Sequence, residues 1–195
     1  MGSTPWQTQE SQVKKWLREN RSFLLFMFAL LAARSSFADH YVVPSGSMEQ
    51  TLMPGDRVVV DKHAYGLRIP FTLVKVIPGD APARGDVIVF DAPDSGTRLI
   101  KRIVAVGGDH LEVHQGHVFI NGQPADTKAV LNLQMGGGPD VPAIRVPAGD
   151  VFVMGDFRGN SRDSRFFGFV REDQIYAKAA RVYYRSGEGF VWKEL

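Results

Sequence analysis

Residues 84–91 read RGDVIVFD, a Gly-Asp pair that turns the chain followed by a short apolar run. The same arrangement recurs three times: Pro54-Gly55-Asp56 before RVVVDK, Gly107-Gly108-Asp109 before HLEVH, and Ala148-Gly149-Asp150 before VFVMGD. Glycine supplies the positive backbone angle and aspartate a local turn bond, and apolar residues at a period of two mark strands with one buried face. These are repeated turns and not a tandem repeat. HLEVHQGHVFING (110–122) reads as a hairpin through Gln115-Gly116, and LIKRIVAVG (99–107) as a further strand. The fold expected over 41–195 is therefore mostly β, an antiparallel sheet or barrel-like domain with few helices. Residues 131–147, with Gly136-Gly137-Gly138-Pro139, read as a loop, giving a small, reduced second lobe over about 108–147.

Upstream the texture differs. Residues 1–21 form a polar leader ending in Lys14, Lys15, Arg18 and Arg21, before an apolar run from Phe23 to Ala33 and then Arg34. Basic residues ahead of an apolar run predict that the N-terminus stays in the cytoplasm and the rest crosses the membrane. Two readings fit residues 22–40: a cleavable secretory signal, with Ser36-Phe37-Ala38 as the small-x-small site, or a short uncleaved transmembrane anchor. Length alone favours the first, since the uncharged stretch falls short of roughly 17 residues. An anchor includes Arg34 near its outer end, where a guanidinium snorkels to the interface.

Composition narrows the function. With 44% hydrophobic residues among 195, the chain buries one core of ordinary size. A net charge of +2, from 23 basic and 21 acidic residues spread along the sequence, leaves no footprint for nucleic acid as a partner. Cysteine is absent, which excludes disulfides, thiolate metal sites and a cysteine nucleophile.

Three polar clusters carry candidate chemistry. In Tyr41-Val-Val-Pro-Ser-Gly-Ser-Met48 an apolar strand runs into a serine-rich turn just beyond the membrane-like segment, where a nucleophile meets a bond emerging from the bilayer. Such serines more often cap a loop. In Leu99-Ile-Lys-Arg-Ile-Val104, Lys101 sits between two apolar neighbours on one strand face and Arg102 on the other; burial lowers a lysine's pKa, as a general base near neutrality requires. A solvated edge-strand lysine is the commoner reading, and the pattern does not say which face is buried. The third cluster, Met154-Gly-Asp-Phe-Arg-Gly-Asn-Ser-Arg-Asp-Ser-Arg165, has the hydroxyls, carboxylates and guanidiniums of a hydrogen-bonded scaffold, or of a solvated loop with weak ion pairs. His110, His114 and His117 lack a supporting carboxylate cluster, so no metal site is expected. Ser11-Gln-Val-Lys14 has Ser-x-x-Lys spacing but lies in the leader, away from any core that would desolvate the lysine.

Pro44-Ser-Gly-Ser-Met48, Lys101-Arg102, and Gly155-Asp156 through Ser161-Arg162-Asp163-Ser164-Arg165, in this order, resemble bacterial type I signal peptidases over about Tyr41 to Tyr184. The resemblance implies Ser47 as nucleophile, Lys101 as general base, Ser45 with the Ser47 amide as oxyanion hole, and Ser161 as the hydroxyl orienting the lysine. It makes Arg102, Asp156, Asp163 and Arg165 supporting ion-pair residues, and Val43, Met48, Leu52 and Val89 apolar walls of the substrate pockets. It further implies no metal or organic cofactor, and secretory pre-proteins with small side chains at the first and third positions before the cut as substrates. The implied location is the cytoplasmic membrane, with contact to lipid, a cytoplasmic N-terminus, a single uncleaved anchor and the catalytic domain outside. Self-processing after Ala38 is the minor alternative. Gln50, Phe157 and Gly159 depart from the family's usual proline, asparagine and aspartate, and the segment between Lys101 and Gly155 is short. A conjugative-transfer peptidase with one dedicated substrate is similar in its Ser-Lys chemistry. The rival from another class is a catalytically silent, membrane-tethered β domain that binds peptides.

Overall fold

The structure is a computed structural model that describes residues 12, 14–36, 38–68, 75–125 and 131–195. Most of the polar leader and Phe37 lie outside these residues. The apolar run forms helix α1, Arg21–Ser36, continuing a helical stretch over 14–19. At about 1.5 Å per residue it is shorter than a hydrocarbon core, and among the described residues no helix is long and apolar enough to cross a membrane. Phe23, Leu25, Phe26, Phe28 and Leu30 are all exposed along it.

Beyond α1 the chain is built from strands: β1 (Ala38–Val42), β2 (Arg57–Asp61), β3 (Gly66–Arg68), β4 (Lys75–Pro78), β5 (Val87–Asp91), β6 (Arg98–Val106), β7 (His110–His114), β8 (His117–Ile120), β9 (Gln123–Pro124), β10 (Val141–Arg145), β11 (Asp150–Met154), β12 (Val170–Arg171), β13 (Ile175–Arg185) and β14 (Gly189–Glu194). The main sheet runs β1-β2-β13-β5-β6-β11-β12, with β14 also on β13, and every pairing in it is antiparallel. The path has two edges, β1 and β12, so the expected sheet is an open one and not a closed barrel.

The four Gly-Asp turns share a left-handed glycine, and three of them share the aspartate bond. Gly55, Gly85, Gly108 and Gly149 have φ of 87°, 94°, 95° and 81°. Asp56, Asp86 and Asp109 each accept the N–H three residues back, from Met53, Ala83 and Val106. Gln115 and Gly116 both have positive φ, a primed two-residue turn that joins β7 to β8 with His114 opposite His117.

The second lobe is more ordered than the loop expected over 131–147, because Val141–Arg145 forms β10 and completes a sheet of order β10-β7-β8-β9. Leu111, Val113, Val118, Ile120 and Val146 from this lobe share one buried cluster with Val104, Ala105, Phe152 and Met154 of the main sheet. Burying that apolar surface, at about 25 cal/mol per Å², is what welds lobe to sheet. Phe167 and Phe169 pack against Phe90 and Phe152, whereas Phe166 is exposed.

Candidate active site

Strand β1 delivers the chain through Pro44 into a single turn of 3-10 helix, Gly46–Met48, which holds Ser47. Met48 and Leu52 anchor this turn in the core with Val43, Val89 and Ile100. Ser45 precedes the turn in extended conformation, its Oγ 3.4 Å from the Oγ of Ser47. The turn that follows is tight: Glu49 has φ −53° and ψ 146°, Gln50 has φ 79°, and Thr51 N donates to Met48 O at 3.1 Å. That is a type II turn, whose third position favours glycine. Proline, the residue that the resemblance leads one to expect here, is barred from such a φ. Gln50→Gly is therefore expected to raise stability by about 1 kcal/mol, and Gln50→Pro to lower it; paired thermal melts check both.

Lys101 enters from the middle of β6, opposite Ile88 of β5, with Leu99 and Ile103 on the same strand face. It is 2% exposed. Its Nζ donates to Ser47 Oγ at 2.5 Å and to Ile100 O at 3.1 Å. Burial lowers its pKa to about 8, against the opposing pull of the Asp163 and Asp156 carboxylates. Both faces of β6 are covered here, because Ile100 is buried and Arg102 is largely so.

The loop from Gly155 to Arg165 packs against this pair. Arg102 grips Asp156 through Nε (3.0 Å) and Nη2 (2.8 Å) and donates from Nη1 to Gly85 O at 2.7 Å. Thr51 Oγ1 donates to the same carboxylate at 2.6 Å, tying the turn after Ser47 to the loop. Asp163 and Arg165 pair with both side chains fully buried, and Asp163 also accepts Gly155 N at 3.0 Å and caps helix α2, Ser164–Phe167. Ser47 O accepts Phe157 N at 3.1 Å. A Cβ on Gly155 would collide with that carbonyl oxygen and with Ser161 Oγ, so only glycine lets the loop sit this close.

Ser161 Oγ is buried and has no hydrogen-bond partner, Lys101 included. An idle buried hydroxyl costs stability. Ser161→Ala is thus expected to keep or raise the melting temperature, while a fall in the turnover of a reaction run by Ser47 would show that the hydroxyl reaches the lysine during the reaction. Equal turnover in the two proteins would remove Ser161 from the machinery.

Val43, Met48, Leu52 and Val89 fall in one buried cluster and are each 0 or 1% exposed. Thr51 is a site residue that pattern reading did not single out. Its partner, Asp156, lies 105 residues away.

A serine oxygen in contact with a buried amine of lowered pKa, on a β framework, offers the two groups that hydrolysis of a peptide or ester bond through an acyl intermediate requires. Residues 13–184 match the family model described as "Signal peptidase, peptidase S26", and the chain belongs to that family. It is 36% identical over 185 residues to the probable signal peptidase I-1 of Synechocystis sp., covering 90% of this chain and 83% of that one. It is 34% identical over 200 residues to the signal peptidase I of Pseudomonas aeruginosa, covering 84% of this chain and 70% of the other. A crystal structure of a signal peptidase I from Enterococcus faecalis matches 52% of this chain and 98% of its own, at 30% identity and a TM-score of 0.43.

Proposed function

We propose that the chain is a signal peptidase I, an endopeptidase that removes signal peptides from exported pre-proteins at the outer face of the cytoplasmic membrane. The observation that carries this reading is the 2.5 Å contact between Ser47 Oγ and a Lys101 amine that is almost wholly excluded from water. Neutral Lys101 takes the Ser47 proton as the oxygen attacks the scissile carbonyl. The oxyanion is held by the Ser47 amide and the Ser45 hydroxyl, each donor worth about 2.7 to 4 kcal/mol. Collapse, with the proton passing from Lys101 to the leaving nitrogen, releases the mature N-terminus as an amine, leaves an acyl-enzyme on Ser47 and returns the lysine to its neutral form. The same amine then activates water for hydrolysis, with Ser161 turning to orient it.

Substrate choice follows from packing. With Val43, Met48, Leu52 and Val89 already filling the space beneath Ser47, there is little depth for side chains at the first and third positions before the cut, and small ones fit best.

Membrane attachment rests on α1, where Phe23, Leu25, Phe26, Met27, Phe28 and Leu30 are exposed, an arrangement that suits a helix solvated by lipid. Exposed Phe190 and Trp192 stack on one another and line a surface cavity with Asp39 and His40, immediately after α1, where aromatic rings suit the bilayer interface. A mature protein beginning at Asp39 in the membrane fraction would contradict the anchor.

Incubating the purified protein with a secretory precursor tests the activity. Cleavage after a small residue, abolished by Ser47→Ala, is expected; an uncut precursor, with Ser47 inert to an acylating inhibitor, would leave a tethered binding domain as the better reading.

A further inference from the structure

Arg158 is the largest side chain among those fully buried, at 1% exposed, and the dyad chemistry does not use it. Its Nε donates to Gly155 O at 3.0 Å, and its Nη1 donates to Gly116 O at the tip of the β7–β8 hairpin. Gly155 is the residue whose Cα faces both Ser47 O and Ser161 Oγ. Its peptide neighbourhood is thus held from both sides, the amide by Asp163 and the carbonyl by Arg158.

The hairpin tip is itself fixed. Gly137 packs so closely on Gln115 and Gly116 that a Cβ there would collide with their backbone. Asp140 accepts Gln115 N at 2.7 Å and pairs with His114 at 2.9 Å. Arg165, already bound to Asp163, donates to Gly137 O and, at 2.7 Å, to Arg158 O. Asn132 completes the brace, donating to Asp156 O at 2.9 Å and accepting Arg158 N at 3.0 Å. A guanidinium suits this task because its planar fork reaches two carbonyls at once, which an ammonium on a flexible stem does not do with fixed geometry.

We infer that Arg158 is a positioning residue for the proposed cleavage reaction: a strut that fixes the Gly155 peptide, and through it Ser47 and Ser161, to the hairpin tip of the second lobe. The inference deepens the signal peptidase reading and rests on it. The short second lobe then acts as a brace for the catalytic loop. A displacement of about 1 Å at the dyad, relayed from a distant side chain, is enough to cost about 100-fold in rate.

The test compares wild type, Arg158→Met, Arg158→Lys and Asp140→Ala in full-length protein. Asp140 is half-exposed, so its variant folds even if the buried changes do not. Precursor cleavage is split into kcat and KM, and the Lys101 amine is titrated by NMR without substrate. Arg158→Met is expected to lower kcat about 100-fold with KM within about twofold. Arg158→Lys recovers little of it, and the Lys101 titration moves as its surroundings loosen. Asp140→Ala is expected to lower kcat about threefold to tenfold at unchanged KM and melting temperature. Wild-type kcat and titration in folded Arg158→Met, or in Asp140→Ala if the former does not fold, would overturn the strut. A wild type that cuts no precursor would sink the peptidase reading, while the amine titration of the same variants still decides whether the strut exists.

Discussion

Lys101→Met should abolish precursor cleavage, lowering kcat/KM on the order of 10⁴-fold or more, while the protein folds and melts at least as high as wild type. The two halves of this expectation have one cause. The amine at position 101 is 2% exposed and is held below its usual pKa by desolvation. Methionine has similar length and no charge, so it fills the same space without the cost of burying an ammonium. The sign of the pH dependence follows. A lysine whose folded pKa lies near 8 against 10.5 unfolded makes the folded protein least favourable where both states are protonated, below pH 8, and that penalty fades as pH rises toward 10.5. The gain from Lys101→Met should be largest at neutral pH and shrink in alkali, as thermal melts from pH 6 to 10 would reveal. Loss of activity without that stability pattern would mean that the amine is not desolvated.

The second large effect is on stability. Asp163→Ala should cost about 3–5 kcal/mol, because it strands the Arg165 guanidinium in a place where neither partner touches water. It also removes the acceptor for Gly155 N and the cap of α2. A fall in Tm of about 10 °C or more is expected for a chain of this size. By contrast, Arg171→Ala breaks the exposed pair with Asp173 and should leave Tm unchanged within error. If the two variants melt alike, the 155–165 loop is held by something other than its buried ion pairs.

Much of the framework was legible because its signals are local. Gly-Asp turns followed by apolar runs marked β2, β5, β7 and β11, although β5 and β11 are buried on both faces and not on the one face expected, and Gln115-Gly116 marked the hairpin. Strand β13, which pairs with β2, β5 and β14, escaped notice because Lys178, Arg181 and three alanines in IYAKAARVYYR suit a helix as well as a strand. Strand β10 escaped because VPAIR buries no regular face. At the site, residue types and their order pointed to Ser47 and Lys101. Their separation of 54 residues closes only when β6 and the 3-10 turn are packed together. The part of Arg158 was invisible for the same reason, since its partner Gly116 lies 42 residues away and offers only a backbone carbonyl. The burial of Val43, Met48, Leu52 and Val89, which the resemblance makes pocket walls, also needed coordinates, since it depends on how distant segments pack.

The rate at which an acylating inhibitor labels Ser47, followed from pH 5 to 10, bears most directly on the dyad. With Lys101 as a base of pKa near 8, labelling should rise about tenfold per pH unit below that value and then level off. Lys101→Met should flatten the profile at a negligible rate. A wild-type rate independent of pH, or one still climbing past pH 10 like an ordinary solvated lysine, would contradict it.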